Sequence, residues 1–93
     1  MMDITELRNQ INEIDEQLVG LFCKRLDTAK KIGEYKKENS LPVLDEGREQ
    51  AVLDKVSALA DDGKEEYVRE LYQKIFEISR NCQQELISGE EDK

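Results

Sequence analysis

The 93-residue chain has no histidine, no tryptophan, one proline, two cysteines and five aromatic residues. Cys23 and Cys82 fit no CxxC or Cys/His spacing, and without histidine there is no zinc-ligand set, so neither a disulfide framework nor a structural metal is expected. Nowhere do eighteen apolar residues run together, which leaves no membrane span. The opening Met1-Met2-Asp3-Ile4 has neither a basic nor an apolar export region, and the chain is expected to be cytoplasmic. Basic residues are also in short supply: 14 Lys and Arg against 22 Asp and Glu give a net charge of −8. That balance argues against general binding to nucleic acid or anionic membranes, both of which depend on neutralising phosphate.

What is present is charge, 39% of residues against about 25% in an average soluble protein, and a hydrophobic set of only 38%. A chain of this size has room for one domain with a thin core. Apolar burial and chain entropy nearly cancel at such a length, and disulfides, metal or oligomerisation tip the balance. With the first two not expected here, oligomerisation is the remaining candidate.

From Thr5 to Glu38 there is no proline, and Ile4, Leu7, Ile11, Ile14, Leu18 and Leu21 recur at steps of three and four. The spacing predicts one long helix of about 50 Å, capped by Asp3 or Thr5. A compact chain of 93 residues is only about 30 Å across, so the helix outruns its own chain and part of its stripe needs cover from another molecule. Asn39, Ser40 and Pro42 stop it. A second helix is predicted from the N-cap Asp45 to the breaker Asp61-Asp62-Gly63, with Val52, Val56 and Leu59 on one side. A third runs from about Lys64 to Ile87 on Val68, Leu71, Ile75, Ile78 and Cys82, and residues 88–93 read as a polar, frayed tail. No segment alternates with period two. The fold class is therefore all-α, three helices of unequal length.

The pattern breaks in informative places. Past Leu21 the first helix's seam falls on Arg25 and Thr28 before turning apolar again at Ile32 and Tyr35. A guanidinium at a core position reaches water, pairs with an acid such as Glu49, or faces a cavity that receives an anion. Residues 24–37 carry six basic side chains (Lys24, Arg25, Lys30, Lys31, Lys36, Lys37) against Asp27 and Glu34, a basic window that also suits a solvated helix face. Lys36 lies eleven residues after Arg25, close to three turns, so both project from one face about 16 Å apart and are long enough to bracket a small organic anion. In the second helix Asp45, Arg48 and Glu49 share a face, an arrangement that also stabilises a helix start by itself. In the third, Ser79 and Gln83 interrupt a stripe of Tyr72, Phe76 and Leu86, and polar groups there need partners.

No serine has a nearby base, Cys82 sits in a core pattern, and there is no Gly-rich phosphate loop. Cations and neutral donors remain, suited to holding a polyanion in one conformation and stabilising charge that develops on an oxygen. Such a set suits a pericyclic rearrangement.

The residues resemble the all-α chorismate mutases of the AroQ class over about Thr5 to Ile87. The resemblance lies in ELRNQINEIDEQLVGLFCKR with Arg8, Asp15 and Arg25, KKIGEYK with Lys36, LPVLDEGRE with Asp45, Arg48 and Glu49, and ISRNCQQ with Ser79 and Gln83. It implies conversion of chorismate to prephenate in phenylalanine and tyrosine biosynthesis, without a cofactor, by an intertwined homodimer with two active sites. By the same resemblance Arg25 and the partner's Arg8 clamp the two carboxylates, supported by Ser79 and Arg48. Lys36 and Gln83 serve the ether oxygen, while Glu49 and the backbone of Asp45 hold the ring hydroxyl. The amide at Gln83 implies activity that does not require acidic pH. Geometry alone adds that Arg8, 17 residues before Arg25 and about 25 Å away along one helix, meets the same small ligand only from a second subunit. With no room for a further catalytic or regulatory domain, a monofunctional enzyme is expected. Two alternatives stand beside it: isochorismate pyruvate lyase, and a non-enzymatic helical interaction module that docks a partner coiled coil.

Overall fold

The computed structural model describes residues 3–91. They form α1 (Ile4–Glu38), α2 (Glu46–Leu59) and α3 (Glu65–Glu91), with no strand among them. The Asp3 side chain caps α1 by accepting from the Glu6 amide at 2.9 Å. At the other end the Asn39 amide and side chain both return to the Tyr35 carbonyl, Ser40 takes a positive φ of 54°, and Pro42 follows. Asp45 caps α2 through the Arg48 amide at 3.0 Å. The turn before α3 uses Gly63 at φ 86°, a backbone region that favours glycine.

The third helix departs from its sequence reading at the C-terminus. It continues through residues 88–91 instead of stopping at Ile87. Ser88 and Gly89 are poor helix formers, but no proline or capping residue intervenes, and the half-buried Leu86 and Ile87 anchor the turn before them. The rest of the expected tail, Asp92 and Lys93, lies outside the described residues.

A helix of 35 residues is about 52 Å long, and it sets the shape of the molecule, 56 × 30 × 14 Å with a radius of gyration of 16.8 Å. A compact chain of this length would be near 12 Å. α3 packs on both α1 and α2, and the core between them is as thin as composition implies: Ala29, Leu53, Ile75 and Phe76 are its buried hydrophobic residues. α1 is divided in two. Its buried residues, Ala29 and Gly33, lie in the C-terminal half, whereas Ile4, Leu7, Ile11, Ile14, Leu18 and Leu21 are each 44–64% exposed. No described helix is long and apolar enough to cross a membrane.

Candidate active site

The C-terminal half of α1 presents Arg25, Ala29, Ile32 and Lys36 at i, i+4, i+7 and i+11, one face of the helix. α3 lays Phe76, Ser79, Arg80 and Gln83 opposite at i, i+3, i+4 and i+7, and the first turn of α2 closes the side with Asp45, Arg48 and Glu49. These residues line one cavity of about 300 Å³. Seven of the eight residues singled out from the sequence meet there. Arg8 does not: it is exposed on the N-terminal half of α1.

Arg25 is half-buried, and of the three fates open to it the cavity wall is the one observed. Its guanidinium carbon lies 5.5 Å from the Tyr72 ring centroid and 5.8 Å from that of Phe76, and the two rings meet edge to face at 6.1 Å. Cation–π attraction of about 0.5–1 kcal/mol thus holds the fork while its N–H groups stay available. It pairs with no acid among the described residues, because Glu49 is taken by Arg80 instead.

Lys36 is tied down by the loop that Pro42 shapes: its Nζ donates to the Val43 carbonyl at 2.6 Å, leaving two further N–H groups on the ammonium. Gln83 is 6% exposed and donates through Nε2 to the Ala29 carbonyl at 2.8 Å. Because the acceptor is a carbonyl, the nitrogen must face it, and this fixes the amide's orientation with its second N–H free. The contact requires Gly33. A Cβ built there would stand 2.9 Å from Gln83 Cγ, a separation real side chains do not tolerate. Ser79 is 8% exposed, and its Oγ is buried without a hydrogen-bond partner among the described residues. An orphaned hydroxyl on a cavity wall is a group kept for a ligand or a water. The Asp45 carboxylate is spent on its cap, and Arg48 is exposed at the rim.

Arg80, not singled out from the sequence, donates to both oxygens of Glu49. Its one signal was position, three residues before Gln83 on the same face. With it, the wall holds four cations (Arg25, Lys36, Arg48, Arg80) and two acids (Asp45, Glu49), a local balance of +2 in a protein of −8. A small dianion is the complementary ligand, and its enclosure beside fixed N–H donors suits stabilisation of charge growing on an oxygen.

Comparison with known proteins gives this geometry its kinship. The family model described as chorismate mutase type II matches residues 7–84. A bifunctional chorismate mutase/prephenate dehydratase of Buchnera aphidicola is 33% identical over 88 residues, covering 92% of this chain and 23% of that protein. The chain spans 16–23% of the length of the first three such bifunctional relatives. A chorismate mutase of Methanocaldococcus jannaschii is 34% identical over 76 residues, 81% of this chain and 74% of the relative. Among solved structures, a conserved hypothetical protein from Pyrococcus furiosus superposes with a TM-score of 0.72 at 38% identity, covering 86% of this chain and 93% of the other. A three-helix chain with a basic, amide-bearing cavity, matched by the family model from the first helix to the third, belongs to the type II, or AroQ-class, chorismate mutases.

Proposed function

We propose that the protein catalyses the Claisen rearrangement of chorismate to prephenate, as a homodimer with two sites. The observation that carries the reading is the +2 cavity in which the buried Ser79 hydroxyl lacks a partner and the Gln83 amide is pre-set. Arg25, with Ser79 and Arg48, receives one carboxylate end of the substrate. Arg8 of the partner subunit closes the other, since within one chain it sits about 25 Å from Arg25 along α1. Glu49 and the Asp45 backbone hold the ring hydroxyl. The exposed apolar seam of α1 supports the dimer that this requires.

The reaction breaks the carbon–oxygen ether bond as a carbon–carbon bond forms, with no proton transferred. Two effects drive it. Clamping both carboxylates holds the compact, chair-like conformer, so orientation entropy is lost at binding and not at the barrier. As the ether bond lengthens, negative charge grows on oxygen and meets Lys36 Nζ and Gln83 Nε2, already held by Val43 and Ala29. A millionfold acceleration requires about 8 kcal/mol from the two together.

The test is turnover of chorismate by purified protein with identification of the product. Prephenate is expected; salicylate from isochorismate would assign the lyase reaction, and no turnover of either would leave a binding module. Mixing Arg8→Ala with Arg25→Ala chains separates cis from trans. Each variant alone is expected to be nearly inactive, while re-equilibrated mixtures recover about a quarter of wild-type activity, because half the dimers then hold one intact site. Absence of recovery would remove the shared site.

A further inference from the structure

One charged residue of the cavity wall has no task in the mutase reading. Arg80 Nη1 on α3 donates to Glu49 Oε1 at 2.7 Å and to Oε2 at 2.5 Å on α2. The side chains are 34% and 25% exposed, and both line the cavity. Arg69 and Asp54, which also join α2 to α3, stand 3.7 Å apart with the acid 65% exposed. The Arg80–Glu49 pair is therefore the closer and drier of the two.

A carboxylate in the wall of a dianion site does two opposed things. Its lone pairs can accept from a substrate hydroxyl, but its charge repels the substrate's carboxylates. Water normally screens such repulsion, and a part-buried position weakens that screening. Arg80 resolves the conflict in two ways. Its positive charge keeps the wall at +2 where it would otherwise be +1, and its two hydrogen bonds fix the plane of the carboxyl group while leaving lone pairs unused.

We propose that Arg80 is a positioning residue for Glu49: it orients the carboxylate and cancels its charge, so that Glu49 accepts from the ring hydroxyl of a dianionic substrate without repelling it. This rests on the mutase reading. Neither the hydroxyl nor the net charge of the substrate changes as the ether bond breaks, so the contribution is equal in ground and transition states and falls on KM, leaving kcat nearly untouched. That separates Arg80 from Lys36 and Gln83, whose contributions grow with the charge on the ether oxygen.

The experiment measures kcat and KM for chorismate in the full chain and in Arg80→Met, Arg80→Lys, Glu49→Gln and the Arg80→Met/Glu49→Gln double variant, with helicity followed by circular dichroism. At about 7 Å and an effective dielectric near 20, a bare unit charge is worth between about tenfold and fiftyfold in affinity. Arg80→Met is expected to raise KM by that factor with kcat within about threefold of wild type, and Arg80→Lys to restore most of it. In the Glu49→Gln background the same Arg80→Met change still removes a wall cation but leaves no carboxylate to be oriented or bared, and it is expected to raise KM by a clearly smaller factor. An equal rise in KM in both backgrounds would mean that Arg80 acts on the substrate without Glu49 and would overturn the proposal, as would an unchanged KM in Arg80→Met or a loss confined to kcat. If Arg80→Met does not fold, Glu49→Gln against the double variant, where no carboxylate is left bare, decides: a rise in KM of less than about tenfold supports the role and a larger one overturns it. Wild-type protein without chorismate turnover would remove the mutase reading and this role together, whereas turnover with the wrong KM pattern would remove the role of Arg80 alone.

Discussion

Gly33→Ala is a one-methyl perturbation about which the structure is specific. The new Cβ would lie 2.9 Å from Gln83 Cγ, 3.2 Å from its Cβ and 3.5 Å from its Cα, against ordinary contacts of 3.4–4 Å. Because the clash includes Cβ, turning the side chain does not relieve it; α3 must retreat from α1 by about 0.5 Å or more at a point where both are packed. Two terms oppose each other in stability. Alanine gains about 1 kcal/mol of helix propensity over glycine, and overpacking costs about 1–3 kcal/mol, so the net change is between nothing and a loss of about 2 kcal/mol. Activity has no such compensation. The 2.8 Å bond from Gln83 Nε2 to the Ala29 carbonyl is stretched or lost, and the second N–H leaves its line. Displacement of one pre-set donor by this distance lowers kcat by about tenfold to a hundredfold with little change in KM. Initial rates of chorismate loss against substrate concentration, with thermal melts on the same samples, measure both. Gly89→Ala, where the added methyl meets nothing within 4 Å, is the control and leaves the rate unchanged. A Gly33→Ala enzyme with kcat within about twofold of wild type would refute the reasoning, because Gln83 could then not be held where the rate depends on it.

Two further outcomes are expected. Lys36→Ala and Arg25→Ala each lower kcat/KM by orders of magnitude while the circular dichroism spectrum stays helical, since both side chains line the cavity and neither belongs to the buried core; near-normal turnover in either would defeat its assignment. Ile14→Asp places a charge in the exposed seam of α1, so the protein is expected to elute later from a sizing column and to lose activity most steeply on dilution; an unchanged elution volume would remove the seam as an interface.

The long helix, the Asp45 cap and the turn at Gly63 were legible because each is a local matter: spacing of apolar residues, absence of proline, a side-chain oxygen three residues before an amide. Arg25 was legible as an anomaly but not as a solution. That a guanidinium falls in a seam is visible in the chain; that Tyr72 and Phe76, nearly fifty residues later, carry it is a fact of packing. Gly33 shows the same divide. Along the sequence it is a helix defect worth about 1 kcal/mol, and only the approach of α3 makes it a requirement. Arg80 was hidden for a statistical reason. In a chain with 39% charged residues an arginine on a helix is unremarked until its partner is known, and Glu49 is 31 residues away.

The division of α1 ties these observations together. A chain with four buried hydrophobic residues among those described has little apolar burial to set against its own entropy, yet it leaves six large apolar side chains half-exposed along 18 residues of helix. Left alone, that stripe favours association. Covered by a second copy, it would supply burial that one chain lacks, and Arg8, interleaved with the stripe between Leu7 and Ile11, would be carried with it. On the proposed reading the site within one chain lacks a second clamp at the same time as the fold lacks a second layer. In the proposed dimer one extension of one helix would answer both, and selection for a stable protein and selection for a complete anion site would act on the same residues. The thinness of the core then follows from the position of the site: the space between α1 and α3 that would hold a third layer of Leu and Ile instead holds Arg25, Lys36, Ser79 and Gln83 around a cavity. Filling it with apolar side chains would strengthen the monomer and abolish the anion pocket.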